Sequence, residues 1–254
     1  MVSKARGIIR KAQRKAQNIA VTYLPASIVG GWVPRRIFPE LVVTNASAIN
    51  KKVPTAKRRD VPNKFIIQNF EWGGVTEFVQ DANLHPTIKD LFLHGKHYTE
   101  TEQWEVMINA VDNYVAGKIT NPAGHGAYWC RSRKDVDRYF EILRECYESI
   151  KSNGYKTQRQ LLEERGMLHQ GGVVRNLGDE IEVLIDDSGD LVFSGARANH
   201  RFSIAQLLGI QDLPVVLGGI DATYLKKLSM NDKLSYRKIF DECVAYHPQL
   251  ACFE

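Results

Sequence analysis

The sequence predicts an α+β protein in which a helical N-terminal part is followed by a mixed α/β domain. Two stretches between residues 100 and 152 repeat apolar residues every three or four positions, which is typical of amphipathic helices. From residue 178 onward, apolar and polar residues alternate, which is typical of strands. A chain of 254 residues with 44% apolar content is long enough to bury a sizeable core.

Positive charge is concentrated at the N-terminus. Residues 1–60 contain 13 Lys and Arg against two acids, a net charge of +11, whereas the other residues carry 21 basic and 27 acidic groups, a net charge of −6. The stretch 3–20 has no acid and places Ala and Ile at helical spacing, so it predicts a basic amphipathic helix. Three interpretations remain open for this helix: it lies on an anionic membrane surface, contacts nucleic acid, or packs on the protein with its lysines in water.

The chain divides by composition into a basic N-terminal segment (1–60), a mainly helical part (61–152) and a mixed domain with a C-terminal helix (153–254). The elements predicted up to residue 165 are, in order, an exposed basic loop at 51–59, strands at 65–67 and 75–79, and helices at 86–93, 100–115, 135–151 and 157–165. His94 and His97 have no obvious carboxylate or cysteine partner nearby in sequence, so no metal site is predicted.

The last third of the chain carries the most specific pattern. Its predicted elements are a strand at 181–186, a turn at 186–190, a strand at 191–193, a loop at 194–201, a helix at 203–208, a strand at 215–217 and a helix at 232–246. A strand that leads through a glycine-bearing loop into a helix directs backbone N–H groups and the helix dipole to one point. The order of these elements therefore predicts an anion-binding site at the start of the helix.

Arg201 and His200 stand at this predicted point. The guanidinium group of Arg201 suits paired hydrogen bonds to phosphate oxygens, and His200 can donate one more. The alternative is that Arg201 pairs with an acid of its own chain, such as Asp179 or Glu180. The sequence does not give the distance between Arg201 and these acids, so both interpretations remain open.

The residues that carry this pattern resemble the ParB/sulfiredoxin-like domain family. The resemblance runs from Glu180-Ile181-Glu182-Val183 through Asn199-His200-Arg201-Phe202-Ser203 to Leu213-Pro214-Val215, about 40 residues. It implies a ParB/sulfiredoxin-like mixed α/β fold over 153–254. The lead-in at 139–159 is similar to that of uncharacterised prokaryotic ParB-like proteins, while the residues Arg197-Ala198-Asn199 expand the loop relative to the family pattern.

The resemblance also implies a nucleotide site. Related loops hold nucleotide phosphates in sulfiredoxins and in the ADP-dependent free serine kinase, and CTP phosphates in ParB. By this resemblance, the candidate binding residues are Gly195, Asn199, His200, Arg201 and Ser203. Sulfiredoxin chemistry is excluded because Asn199 stands where that reaction needs a cysteine. Centromere-type DNA binding is not expected, because only one helical stretch is visible after residue 217.

Two functional hypotheses follow. The first is a kinase-type phosphotransferase that uses ATP or ADP with Mg²⁺ and acts on a small hydroxyl-bearing acceptor. Its candidate catalytic residues are Glu180, Asp179 and His200, because a carboxylate beside a bound phosphate can deprotonate a hydroxyl group. Alternatively, Asp179 and Glu180 are exposed to solvent at the start of the strand and have no catalytic role. The second hypothesis is a non-catalytic nucleotide-sensing or adaptor protein that docks on a membrane or nucleic acid through residues 1–20.

The cysteines and the hydropathy of the sequence indicate the cellular compartment of the protein. The four cysteines are scattered and none belongs to a C-x-x-C pair, which favours a reducing compartment. No apolar run approaches the roughly 18–20 residues that cross a bilayer. These observations predict a cytoplasmic protein, with peripheral membrane association through the basic segment left open.

Overall fold

The computed structural model describes residues 19–29, 33–34, 37–38, 40–78, 85–164, 180–195, 198–230 and 233–253. It confirms the α+β prediction, because helices surround one mixed sheet that has eight strands among these residues. The predicted basic helix at 3–20 lies almost entirely outside the described residues, as do Asp179, Ala196 and Arg197. Within the described part of the chain, no helix combines the length and apolar character needed to cross a membrane.

The strands are β1 (Leu41–Thr44), β2 (Lys51–Lys52), β3 (Ile66–Ile67), β4 (Glu77–Phe78), β5 (Glu182–Ile185), β6 (Leu191–Phe193), β7 (Leu213–Asp221) and β8 (Ala251–Cys252). Their order in the sheet is β4-β2-β6-β5-β7-β1-β8, and β3 pairs with β7 beside this path. The hairpin of β5 and β6 is antiparallel, as the turn at 186–190 predicts, and β5 runs parallel to β7. The sheet therefore takes strands from all three segments into which composition divides the chain.

The helices are α1 (Ala26–Val29), α2 (Pro86–Ile88), α3 (Glu102–Val115), α4 (Arg133–Asn153), α5 (Gln158–Glu164), α6 (Asn199–Leu207), α7 (Ala222–Lys227) and α8 (Tyr236–Tyr246). A π-helical turn, Lys89–Leu93, extends α2, and short 3₁₀ turns are found at Ala46–Ala48, Thr55–Lys57, Trp72–Gly74, Tyr98–Glu100 and Pro122–His125. Helices α3 and α4 confirm the amphipathic patterns and bury their apolar faces in a cluster that includes Met107, Val111 and Phe140. Ser132 and Asp135 form a capping box that starts α4 two residues before the predicted start.

Strand β7 is the central strand and is longer than the predicted 215–217. All nine of its residues are buried, because it pairs with β5 on one side and β1 on the other. Gly218 lies where a side chain has no room: a Cβ atom there would lie 2.6 Å from the carboxylate oxygen Oε1 of Glu182. The glycine thus allows a buried glutamate of β5 to lie against the backbone of the neighbouring strand.

The prediction of an exposed loop at 51–59 is wrong at its beginning. Lys51 and Lys52 form β2, which runs parallel to β6 and antiparallel to β4. Strand β1, which the sequence analysis did not predict, also belongs to the sheet. The charge of the two lysines conceals the strand, and the ammonium group of Lys51 is accommodated because it lies 2.6 Å from a carboxylate oxygen of Asp186 and 2.8 Å from one of Asp190.

Asp186 joins the β5–β6 turn to β2. Its side chain is fully buried, and one carboxylate oxygen accepts hydrogen bonds from the backbone N–H groups of Ser188, Gly189 and Asp190 at 2.9–3.0 Å. The other oxygen contacts the ammonium group of Lys51. One buried carboxylate therefore closes the turn and also neutralises the lysine of the adjacent strand.

We expect Asp186→Ala to lower the free energy of unfolding by about 3–5 kcal/mol, because it leaves buried donors and a lysine without their acceptor. Asp186→Asn should be less damaging, since an amide oxygen can still accept from the turn. The matched control is Asp187→Ala, whose side chain is exposed and which should change stability by no more than about 0.5 kcal/mol. Urea unfolding measures all three, and equal midpoints for the two alanine variants would contradict this role.

Candidate functional site

Helix α6 begins earlier than predicted, and its first turn contains three of the candidate residues. The predicted start was Ser203, but the helix begins at Asn199, so Asn199, His200 and Arg201 are its first three residues. Ala198 precedes them in the left-handed conformation, with φ of 59°, and provides no side-chain cap. The positive end of the helix dipole is therefore not met by a capping side chain.

A cavity of about 290 Å³ opens at this N-terminus. The described residues that line it are His85, Tyr128, Ala198, Asn199, His200 and Arg201. These residues are an arginine, two histidines, an asparagine, a tyrosine and an alanine, and no acid is among them. Its chemistry and its position at a helix N-terminus both favour an anion over a cation.

Two histidines face each other in the cavity. The ring centroids of His85 and His200 are 4.3 Å apart, and Nε2 of His200 is 3.1 Å from the hydroxyl oxygen of Tyr139. Burial lowers the pKa of His85 to about 4 and that of His200 to about 3, so both imidazoles are neutral at pH 7. Nδ1 of His85 is buried and has no hydrogen-bond partner among the described residues.

Ser203 has a positioning role in the described structure. Its hydroxyl oxygen accepts a hydrogen bond of 3.0 Å from the backbone N–H of His85, and its side chain is buried below the first turn of α6. It does not line the cavity. The contact nevertheless ties the segment before α2 to α6, and so fixes His85 opposite His200.

Arg58 lies against the loop that leads into α6. One of its terminal nitrogens donates to the side-chain oxygen of Asn199 at 3.3 Å, while its Nε is buried without a hydrogen bond to any described residue. Gly195 makes this approach possible: its φ is +69°, and a Cβ atom there would lie 2.5 Å from the carbonyl oxygen of Val53 and 2.9 Å from Nε of Arg58. A second guanidinium group thus stands beside the cavity, and only glycine fits at position 195 without displacing its neighbours.

Arg201 forms the ion pair that the sequence left open as an alternative. Its Nη1 is 3.4 Å from Oε2 of Glu180 and donates to the hydroxyl oxygen of Tyr155 at 2.9 Å. Glu180 is fully buried and also accepts a hydrogen bond from the backbone N–H of Gln158. Burial raises the pKa of Glu180, and the charge of Arg201 works against that shift. Arg201 therefore contacts the cavity and also compensates a buried carboxylate behind it.

The structure brings together Asn199, His200 and Arg201 at the cavity, with Gly195 in the loop behind Asn199. Glu180 is separated from the cavity by its contacts with Arg201, and Asp179 lies outside the described residues. The described lining does not suit Mg²⁺, which prefers carboxylate and other oxygen ligands. No cluster of three or more His, Cys, Asp or Glu that could hold a metal occurs in the described part of the chain.

Sequence reasoning missed His85, Tyr128, Tyr139 and Arg58 as parts of the site. Each comes from a segment far from the loop in sequence, and only the fold places it there. Burial is the signal that separates Arg58 from its neighbour Arg59, which is exposed. No sequence pattern reports that difference.

No protein-family model, curated protein or solved structure matches this chain. The resemblance to the ParB/sulfiredoxin-like family therefore stays a prediction from a short stretch of sequence. Evidence about function comes from the chemistry of the cavity itself.

The Glu180–Arg201 pair can be tested in the ligand-free protein. We expect Arg201→Ala to lower the free energy of unfolding by about 3–5 kcal/mol, because it leaves a buried carboxylate without its cation. Adding Glu180→Gln should restore part of this loss, since a neutral amide needs no counter-ion. Urea unfolding of wild type, Arg201→Ala, Glu180→Gln and the double variant gives the coupling between the two sites. Strictly additive effects would contradict the ion pair.

The histidine pair predicts a pH dependence of stability. Both folded-state pKa values lie below the ordinary value of about 6.5, so the unfolded chain binds more protons and stability falls as pH drops from about 6.5 toward 4. Each histidine contributes a slope of about 1.4 kcal/mol per pH unit well below pH 6.5. Urea unfolding at pH 7, 6 and 5 should show a shallower slope for His200→Gln than for wild type. The control His125→Gln, at an exposed site, should keep the wild-type slope.

Proposed function

We propose that this protein binds the phosphate groups of a nucleotide, such as ATP or ADP, in the cavity at the N-terminus of α6. The observation that carries the proposal is the composition of the cavity: a helix start without a side-chain cap, a guanidinium group and two imidazoles, and no acid among the described lining residues. Anionic oxygens are the ligand atoms that such a set of donors stabilises.

The charges around the cavity support this proposal. The backbone N–H groups of the first turn of α6 and its dipole favour negative charge. Arg201 lines the cavity, and Arg58 lies beside it against Asn199. The two histidines are neutral at pH 7 and can donate hydrogen bonds without repelling the arginines. Together these groups provide positive potential and directed donors at one point.

The size of the cavity also supports a phosphate ligand. A volume of about 290 Å³ lies just below the usual range of ligand sites, about 300–1,000 Å³. It suits one or two phosphate groups with their water, and the remainder of a nucleotide would extend through the opening. This division places the charged part of the ligand inside and its organic part at the surface.

Binding without turnover, as in a nucleotide-sensing or adaptor protein, is the form of the proposal that the geometry favours. A phosphotransferase needs an acceptor-facing base, and Glu180 is instead buried and paired with Arg201. Phosphoryl transfer to a small hydroxyl-bearing acceptor is the second candidate. The raised pKa of Glu180 favours it, because general bases are often carboxylates whose pKa burial has raised. That reaction would require Arg201 to leave Glu180 for the phosphates.

The partner of an adaptor would be anionic. The basic composition of residues 1–20 is the observation that supports docking on an anionic membrane surface or on nucleic acid, and it rests on the sequence alone.

We expect wild type to bind pyrophosphate and ADP, and Arg58→Ala to weaken both by about 2- to 12-fold, about 0.5–1.5 kcal/mol, because it removes a positive charge beside the cavity and the hydrogen bond to Asn199. Arg59→Ala removes the same charge from an exposed neighbour and should change affinity little. Calorimetric titration with and without Mg²⁺ measures these affinities. Absence of binding to wild type would overturn the proposal, and equal losses in the two variants would show that only general charge matters.

The choice between binding and transfer is decided by incubation with labelled ATP or ADP and hydroxyl-bearing acceptors. A nucleotide-sensing protein leaves the label on the nucleotide. A phosphotransferase moves the label to an acceptor, and Glu180→Gln should then abolish transfer while binding remains.

A further inference from the structure

Tyr128 has the largest aromatic side chain among the described residues that line the cavity. Its backbone has φ of 51°, a left-handed conformation that bulky side chains rarely adopt. The residues that flank its loop, Ala127 and Cys130, are fully buried and fix the path of the chain. Glycine would satisfy the same backbone turn without strain, so the turn alone does not account for a tyrosine at this position.

The ring of Tyr128 is held in a fixed orientation. It stacks on the ring of Tyr139 at a centroid distance of 5.4 Å and an interplanar angle of 12°, and it meets the ring of His200 edge to face at 6.2 Å. The hydroxyl group of Tyr139 in turn contacts Nε2 of His200. Despite these contacts, Tyr128 is 42% exposed. The ring is thus supported by its neighbours on one side and remains accessible at the cavity.

We propose that Tyr128 is the stacking platform for a planar ring of the ligand, and that it makes the site selective for nucleoside phosphates over inorganic phosphate or pyrophosphate. This inference rests on the phosphate site proposed above. Phosphate groups at the start of α6 fill a cavity of about 290 Å³ and leave the organic part of the ligand at the opening. An exposed aromatic ring beside that opening offers a purine or pyrimidine a flat surface.

The chemistry of stacking sets the specificity. Stacking of a base on an aromatic side chain tolerates every base, because each base has a π-face. The platform therefore distinguishes ligands with a base from ligands without one, and discriminates weakly among bases. The neighbouring Trp129 is 53% exposed and does not line the cavity, so it provides a matched aromatic control.

The test compares ADP with pyrophosphate by calorimetric titration of wild type, Tyr128→Gly, Tyr128→Phe and Trp129→Ala. We expect Tyr128→Gly to weaken ADP by about 5- to 150-fold, the loss of one stacked base, while pyrophosphate affinity stays within about twofold. Tyr128→Phe keeps the ring and should keep most of the ADP affinity, and Trp129→Ala should match wild type. Thermal unfolding verifies that each variant is folded, and Tyr128→Gly should not lower the midpoint much because glycine relieves the backbone strain.

The outcomes separate this inference from the function on which it rests. If wild type binds pyrophosphate and ADP but Tyr128→Gly leaves ADP affinity unchanged, the platform is wrong and the phosphate site stands. Equal losses for ADP and pyrophosphate in Tyr128→Gly also overturn the platform, because they assign Tyr128 to the shape of the phosphate cavity. If wild type binds neither ligand, the proposed function fails and the platform fails with it.

Discussion

The buried ion pair between Glu180 and Arg201 connects the sheet to the candidate site. Glu180 stands at the entrance to β5, Arg201 is in the first turn of α6, and Tyr155, between α4 and α5, contacts both. A buried carboxylate without its cation is strongly unfavourable, so this pair constrains how α6 can sit against β5. The position of α6 in turn determines which groups face the cavity.

The cavity depends on segments that meet only in the folded protein. His85 precedes α2, and its backbone N–H donates a hydrogen bond to Ser203. Tyr128 belongs to the loop before α4. Asn199, in α6, accepts a hydrogen bond from Arg58. Burial keeps the two imidazoles neutral, which lets them lie close to each other without strong repulsion. The positive potential of the site is therefore carried by the arginines and the helix dipole, and the histidines contribute directed donors.

Sequence reasoning succeeded where the signal is local and failed where it is not. The hairpin of β5 and β6 and the helices α3 and α4 were predictable because their periodicity and turn residues lie in a continuous stretch. Strand β2 was concealed because Lys51 is neutralised in the sheet by Asp186 and Asp190, which are more than a hundred residues away in sequence. Whether Arg201 pairs with Glu180 or is left for a phosphate depends on the distance between the two side chains, and only the folded structure gives that distance. The same is true of the burial that distinguishes Arg58 from Arg59.

The order of strands in the sheet has a consequence for how the chain folds. Strand β1 pairs with β7, so that Leu41 lies opposite Val216, and β2 lies beside β6. Strand β1 finds its partners only in the last third of the chain, and β2 has only the short β4 before then. Helices α3 and α4 have an apolar cluster of their own and can pack together sooner. Contacts between such distant residues make folding slow. During synthesis β1 and the edge of β2 that later pairs with β6 therefore stay unpaired for a long time, and the nascent chain is exposed to aggregation over the same interval.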